Sequence, residues 1–278
     1  MSALYTDYLN MKAFPNMWCP GCGNGIIVRS VAESLAQLDL SPHKVVITTG
    51  IGCFGKADDY FATHTFHGSH GRALAFATGI KAGNPDLHVI ALMGDGDAVT
   101  IGGNHFIHTA RRNMNITAII ANNLNYGMTG GQYSATSPLG SLTSTAPEGV
   151  PEQAFDITAL ARTAGANYAA RTTAYHVLQL KKFIVAALEK PGFSAVEVMT
   201  PCPTHFGRRN YKGQQAMMRY FKDRVLPQSR YEQISAEQRE GYMVRGVFVD
   251  RDKPDFLTHY RKIHAIHSEQ EKGGQGNE

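Results

Sequence analysis

The sequence predicts an α/β protein: a mostly parallel sheet with helices on both faces. Three observations lead there. Short apolar, β-branched runs recur at 45–49, 89–93, 116–121 and 194–199. Between them lie stretches with helical spacing of apolar residues. Each run ends in a turn of Gly, Asn or Pro, and alternating strand and helix signals of this kind build parallel sheets.

Taken in order, residues 1–16 are polar and aromatic without a clear period, and are expected to form an arm lying on a neighbouring chain. Trp18-Cys19-Pro20-Gly21-Cys22-Gly23-Asn24-Gly25 is a tight Cys-x-x-Cys loop. Asn24 is expected to cap a helix whose apolar face is Ile27, Val31, Leu35 and Leu38, stopped by Ser41-Pro42. Strand 45–49 leads into Gly50-Ile51-Gly52-Cys53. A helix over 71–81 ends at Gly83-Asn84-Pro85. Strand 89–93 closes in Gly94-Asp95-Gly96, a helix follows over 101–112, and strand 116–121 closes in Asn122-Asn123. Residues 126–149 are rich in Gly, Ser, Thr and Pro; a loop this long in a compact domain is usually functional or covered by a partner. Helices over 155–164 and 174–189 precede a last clear strand, 194–199, and Thr200-Pro201-Cys202-Pro203. In the second helix Val177, Leu180, Ile184 and Leu188 share a face, and Pro191-Gly192 stops it. The expected organisation is an arm over 1–16, a main domain over 17–206, and an extension over 207–278. The extension is polar and basic, with a tail from 269 expected to be disordered.

Composition narrows the function classes. The 278 residues are enough for a large core. Twenty-seven basic against 23 acidic residues leave a formal charge of +4, too balanced to argue for nucleic acid or an anionic membrane surface. No apolar run is long enough to span a bilayer, and the first residues hold no hydrophobic signal core, so a cytoplasmic location is expected. In that reducing compartment the four cysteines are better suited to metal or redox roles than to disulfides.

Two features carry chemistry. Parallel strands bring the turns after 89–93 and 116–121 to one carboxyl edge, where α/β proteins bind ligands. There Asp95, Asn123 and a backbone carbonyl offer Mg²⁺ oxygen ligands, and Mg²⁺ often holds substrate phosphates with only one or two protein carboxylates. Gly94 and Gly96 let backbone N–H groups approach a diphosphate, helped by the following helix N-terminus. The plainer alternative is an ordinary βα turn followed by an Asn-rich loop. The second feature is the set Cys19, Cys22, Cys53 and Cys202, each at a turn beside a strand or helix end. Four thiolates suit Zn²⁺ or a [4Fe–4S] cluster. Structural zinc usually takes two Cys-x-x-Cys pairs, so the solitary third and fourth cysteines favour a cluster, with zinc and buried or redox-active thiols as the alternatives.

Gly-Asp-Gly followed 28 residues on by Asn-Asn resembles the thiamine-diphosphate motif. With it stand Cys-Pro-Gly-Cys at 19–22, Gly-Ile-Gly-Cys at 50–53, His-Gly-Arg-Ala at 70–73 and Ala-Thr-Gly-Ile-Lys at 77–81. Gly-Asp-Gly-Asp-Ala at 94–98, Ile-Gly-Gly-Asn-His at 101–105 and Asn-Tyr-Gly-Met-Thr-Gly-Gly-Gln at 125–132 complete the set. Together, from about residue 14 to 206, they resemble the β subunit of 2-oxoacid:ferredoxin oxidoreductases. The resemblance implies the thiamine-diphosphate-binding (diphosphate-domain) fold, with a [4Fe–4S] cluster on Cys19, Cys22, Cys53 and Cys202. It implies Mg²⁺ on Asp95, Asn123 and the Asn125 carbonyl, and cofactor contacts from Gly52, Cys53, His70, Gly94, Gly96, Asp97, Ala98, Met128 and Thr129. The implied reaction is oxidative decarboxylation of a 2-oxoacid, with the acyl group passed to coenzyme A and electrons leaving singly to ferredoxin.

No segment reads as the second thiamine domain, which carries the carboxylate that activates the cofactor's N1′. The family places that domain on an α subunit, so no catalytic residue for this step is expected here, and an (αβ)₂ assembly is implied. Lys56, three residues past Cys53, is a candidate for the distal carboxylate of 2-oxoglutarate, against a solvated lysine at a helix start. Gly130 and Gly131 stand where relatives carry a lysine before Gly-Gln, which removes a substrate contact from that position. His64, His67 and His70, three and six residues apart, would spread around a helix rather than converge on a metal. Arg111, Arg112, Arg208 and Arg209 read as solvated or interface charges. The expected function is CoA-dependent conversion of 2-oxoglutarate to succinyl-CoA and CO₂. Alternatives are pyruvate or a branched-chain 2-oxoacid as substrate, a cluster-free thiamine decarboxylase or synthase, or a non-enzymatic zinc-stabilised α/β binding module.

Overall fold

The computed structural model describes residues 4–212 and 215–274. Its frame is an eight-stranded sheet in the order β2-β1-β3-β4-β6-β5-β8-β7. The strands are β1 (Val45–Thr49), β2 (His64–His67), β3 (His88–Gly94), β4 (Thr117–Asn122), β5 (Tyr168–Thr173), β6 (Ser194–Met199), β7 (Val225–Pro227) and β8 (Met243–Asp250). All neighbours are parallel except β5 and β8, whose antiparallel register shifts between Ala169 and Ala170.

The helices are α1 (Asn24–Gln37), α2 (Ala73–Gly83), α3 (Gly103–Arg112), α4 (Ile157–Ala164), α5 (Val177–Glu189), α6 (Arg208–Asn210), α7 (Ala216–Arg224), α8 (Gln228–Tyr231) and α9 (Phe256–Gly274). They lie on both faces because the central strands are apolar on both. Val45, Ile47, Ile90, Leu92, Ile119 and Val196 pack with Ile27, Val31 and Leu35 of α1 and Leu180 and Ile184 of α5. The intervening residues Val89, Ala91, Met93, Ala118 and Ile120 pack on the other side with Leu74 of α2, Phe106 of α3 and Ile157 of α4. Each fully buried Ile, Leu or Phe contributes about 1.5–3 kcal/mol, and this two-sided core holds the strand ends rigid.

β1, β3, β4 and β6 lie where the apolar runs place them. Helices α2 to α5 begin two or three residues later than the periodicity suggests, an ordinary uncertainty of helix ends. Other expectations are corrected. The N-terminal segment packs on its own chain: Tyr8 is fully buried, its hydroxyl donates to the Leu40 carbonyl at 2.6 Å, and Leu9 bridges Phe61. Within residues 4–16 only Tyr8 and Leu9 are buried in this way. Asn24 is the first helical residue rather than the cap; Gly23 precedes it, and the buried Asn24 amide has no hydrogen-bond partner. His64 and His67 sit on an exposed edge strand instead of a helix.

β5 was not anticipated, because Ala169, Ala170 and Arg171 are poor strand formers; its burial between β6 and β8 overrides them. β8 extends the same sheet, so residues beyond 207 are joined to the core by a strand pairing. The backbone of α9 is helical to Gly274, through the first part of the segment expected to be disordered; residues 275–278 of that segment lie outside the described residues.

Candidate functional site

Strands β1, β3, β4 and β6 deliver their turns to one edge of the sheet. There one cavity is lined by Ile51, Gly52, Cys53, Phe54 and His70, by Gly94, Asp95, Gly96 and Asp97, and by Asn123, Asn125, Tyr126, Gly127, Met128 and Thr129. Nearly all the residues expected to contact the cofactor are therefore brought together. Ala98 is not at the wall; it is fully buried in the core beneath it. Lys56 lines no part of this cavity either, and its ammonium stands 3.6 Å from Asp59 Oδ2 on a half-exposed surface.

Asp95 is 1% exposed. Burial pushes its carboxyl above the usual carboxylate range, opposed by hydrogen bonds from Ser134, Thr136 and the Asn123 N–H. Ser134 Oγ donates to Asp95 Oδ2 at 2.5 Å and Thr136 Oγ1 at 2.7 Å. The Asn123 N–H approaches Asp95 Oδ1 at 3.3 Å. The Asn123 side-chain amide lies 3.2 Å from Asp95 Oδ1 and 2.6 Å from the Asn125 carbonyl oxygen. With its nitrogen turned inward the amide donates to both acceptors; with its oxygen inward, three oxygens face one point. That donor set matches what Mg²⁺ prefers. Gly94 and Gly52 face open space, since a Cβ on either would meet nothing within 4 Å, and Gly52 holds φ +114. Backbone is thus bare where a diphosphate would approach.

Asp97 organises the rim. Its Oδ1 accepts from His70 Nδ1 at 2.6 Å, from the Gly71 N–H at 2.6 Å and from the Ile51 N–H at 3.4 Å. This one carboxylate ties the turn after β1, the entry to α2 and the π-helical turn Gly96–Ile101 together. Fixing Nδ1 leaves Nε2 as the other ring nitrogen of His70, whose ring meets Tyr126 edge-on at 5.9 Å. Gly96 is required by the same contact: a Cβ there would lie 2.2 Å from Tyr126.

The four cysteines are all unpaired and line a second, adjoining cavity with Met17, Trp18, Asn123, Gly127, Met128, Pro203, Thr204 and His205. The two cavities share Cys53, Asn123, Gly127 and Met128. Gly127 forms the partition; its Cβ position lies 3.4 Å from Cys53 Sγ and 3.5 Å from Cys202 Sγ. Burial pushes the Cys22 thiol up to about 12, and neighbouring Cys53, Cys202 and Cys19 add to the rise. Burial likewise raises Cys53 to about 11. The bare Cys22 and Cys53 thiols are neutral, and a metal centre would stabilise them as thiolates. Trp18 Nε1 donates to the Cys53 carbonyl at 2.7 Å and stacks obliquely on Tyr60 at 4.8 Å.

Ser134, Thr136, Tyr126 and Trp18 were not singled out from the sequence. The long loop 126–149 was marked as functional, but hydroxyls in a Ser/Thr-rich loop carry no signal of which one meets a carboxylate.

Residues 44–198 match the family described as thiamine pyrophosphate enzyme, C-terminal TPP binding domain. The chain is 40% identical over 257 residues to the 2-oxoglutarate synthase subunit KorB of Methanocaldococcus jannaschii, covering 92% of this chain and 95% of that protein. To the KorB subunit of Archaeoglobus fulgidus it is 51% identical over 205 residues, covering 74% and 76%. The fold superposes with TM-score 0.85 on a chain of the 2-oxoglutarate:ferredoxin oxidoreductase from Magnetococcus marinus, solved with 2-oxoglutarate, coenzyme A and succinyl-CoA bound. That likeness has 31% identity and covers 96% of this chain and 91% of the other. A chain that matches 76–95% of the length of these relatives, on the same sheet, belongs to the thiamine-diphosphate-dependent 2-oxoacid:ferredoxin oxidoreductases, as a β subunit of the 2-oxoglutarate synthase type.

Proposed function

We propose that this chain acts on 2-oxoglutarate and coenzyme A with an α subunit, holding Mg²⁺·thiamine diphosphate on Asp95, Asn123 and the Asn125 carbonyl. In the same reading Cys19, Cys22, Cys53 and Cys202 hold a [4Fe–4S] cluster that passes electrons to ferredoxin. The observation that carries it is the pair of adjoining cavities: an oxygen-ligand set in one, four thiols in the other, and a wall of Cys53, Asn123, Gly127 and Met128 common to both. The names of the relatives support 2-oxoglutarate over pyruvate.

When bound, thiamine diphosphate supplies the nucleophilic carbon for the 2-oxoacid carbonyl, and a cluster supplies one-electron steps. The chain's own residues bind and orient. Asp95 offers Oδ1 while its Oδ2 is held by hydroxyls, Gly94 and Gly52 leave backbone bare, and Asp97 sets the tautomer of His70. Trp18 ties the Cys53 loop by its backbone. The carboxylate for N1′ activation belongs to the partner, so activity needs both subunits, in an (αβ)₂ complex working in a reducing cytoplasm.

The test is anaerobic purification with the α subunit and measurement of iron, sulfide and zinc alongside the visible spectrum. About four irons and four sulfides per chain, lost in Cys202→Ala, with a band that bleaches on 2-oxoglutarate and coenzyme A, is expected. One zinc without iron would overturn the electron-transfer assignment. Bleaching by pyruvate alone would overturn the substrate.

A further inference from the structure

The side chain that fixes the metal-facing carboxylate lies in the long loop, outside the thiamine motif. Asp95 Oδ2 takes hydroxyl protons from Ser134 at 2.5 Å and Thr136 at 2.7 Å, and the two hydroxyls stand 3.0 Å apart. With Oδ2 occupied, Oδ1 is the oxygen left facing the Asn123 amide and the Asn125 carbonyl. Thr136 Oγ1 also lies 3.1 Å from Asn122 Oδ1. That amide is itself fixed, because its nitrogen donates to Glu197 Oε1 at 2.7 Å and its oxygen accepts from the Leu124 N–H at 3.1 Å. Glu197 Oε2 is bonded by Arg171 Nε at 2.7 Å, and a second guanidinium nitrogen of Arg171 reaches Asp156 at 2.6 Å.

The single Thr136 hydroxyl proton serves either Asp95 Oδ2 or Asn122 Oδ1, so Thr136 stands at the junction between the cation-facing carboxylate and a polar chain that runs from Asn122 through Glu197 and Arg171, across β4, β6 and β5, to Asp156. Glu197 and Arg171 are register partners on adjacent strands, so this part of the chain is anchored in the sheet. Buried polar chains of this kind are satisfied link by link, and each link restricts the next. Groups that orient a metal ligand are typically worth about 10–100-fold in metal affinity.

We infer that Thr136, with Ser134, is a positioning residue that holds Asp95 in the rotamer facing Asn123 and Asn125, and so sets the affinity for the divalent cation. The inference rests on the Mg²⁺·thiamine diphosphate assignment above.

The experiment is titration of Mg²⁺ into the αβ complex with excess thiamine diphosphate, by calorimetry, for wild type, Thr136→Val, Thr136→Ser and Ser134→Ala. Valine keeps the shape and deletes the hydroxyl. The Mg²⁺ dissociation constant is expected to rise about 10–100-fold in Thr136→Val and to recover in Thr136→Ser. Ser134→Ala is expected to show a rise in the same direction, which keeps the test decisive if the valine variant misfolds. At saturating Mg²⁺ the kcat should stay close to wild type, a split that general damage to the fold would not give. Wild type that binds Mg²⁺·thiamine diphosphate beside hydroxyl variants within twofold of it would overturn the positioning role and leave the cofactor assignment standing. Wild type that fails to bind would overturn both.

Discussion

Removing the guanidinium of Arg171 is expected to destabilise the complex by about 3–4 kcal/mol at pH 7. Arg171 is buried between Glu197 and Asp156, with bonds of 2.7 and 2.6 Å. In Arg171→Met the alkyl stem is kept, and Asp156, half exposed, is re-solvated. Glu197 is 2% exposed and has no such escape. Its carboxylate must stay charged in the core, which costs about 3–5 kcal/mol when a buried pair loses one partner, or take up a proton on folding. For a glutamate of ordinary acidity in the unfolded chain, that uptake costs about 3.7 kcal/mol at pH 7. Because the folded variant then binds a proton that the unfolded chain releases above its own pKa, the deficit shrinks as pH falls toward about 5. Urea unfolding of the αβ complex, followed at pH 7 and pH 5, measures it. Arg171→Met with Glu197→Met should regain most of the loss, since an apolar pair of similar volume often does as well as a buried ion pair. A loss under about 1 kcal/mol, unchanged between the two pH values, would refute the reasoning.

Asp156 gives the opposite pH signature. Burial works to raise its carboxyl, but Arg171, with bonds from the Ala159 N–H and Thr158, outweighs it and leaves the group below the usual range. Its stabilising effect is therefore complete above the unfolded aspartate pKa of about 3.9 and fades as pH falls through the lower folded value; Asp156→Asn should cost about 1 kcal/mol at pH 7 and nearly nothing in acid, by denaturant melts. Gly71 has φ +72, and a Cβ would lie 2.5 Å from Ile101 Cγ2 and 2.8 Å from the Gly102 nitrogen. Gly71→Ala should cost more than about 1 kcal/mol and weaken cofactor binding by displacing the Asp97–His70 pair, read by calorimetry. Gly96→Val should drive Tyr126 from its place and abolish measurable thiamine diphosphate binding, while Gly79→Ala, where a Cβ meets nothing within 4 Å, serves as the neutral comparison.

Much of this molecule is legible in its sequence because its central strands are apolar on both faces. Val45–Thr49 and Ser194–Met199 announce themselves as uninterrupted buried runs, with ends where the structure has them. The residues proposed as oxygen and thiol ligands stand in Gly-Asp-Gly, Asn-Asn and Cys-containing turns beside strand or helix ends, and the fold brings those turns to one edge of the sheet. What stayed hidden depends on partners far along the chain. β5 is a strand only because β6 and β8 flank it. Asp97 reads only as a cofactor contact, and the His70 and Gly71 groups bonded to its Oδ1 come into view with the fold. Thr136 is one of several loop hydroxyls until Asp95 stands beside it. Lys56, which spacing puts near the site, stands off the wall of this cavity, half-exposed and 3.6 Å from Asp59 Oδ2.

The partition at Gly127 also limits how this protein can change. Asn123, Gly127 and Met128 of one backbone segment line both compartments, so a substitution at any of the three meets both. An alteration that retunes the thiol side also shifts the Asn123 amide and the Asn125 carbonyl, and a selected variant here would carry two phenotypes that no recombination separates. Independent adjustment is left to residues that touch one compartment only: His205 and Trp18 on one side, His70 and Thr129 on the other. Suppressors of a lesion in the shared segment should therefore arise in pairs, one from each side of the wall.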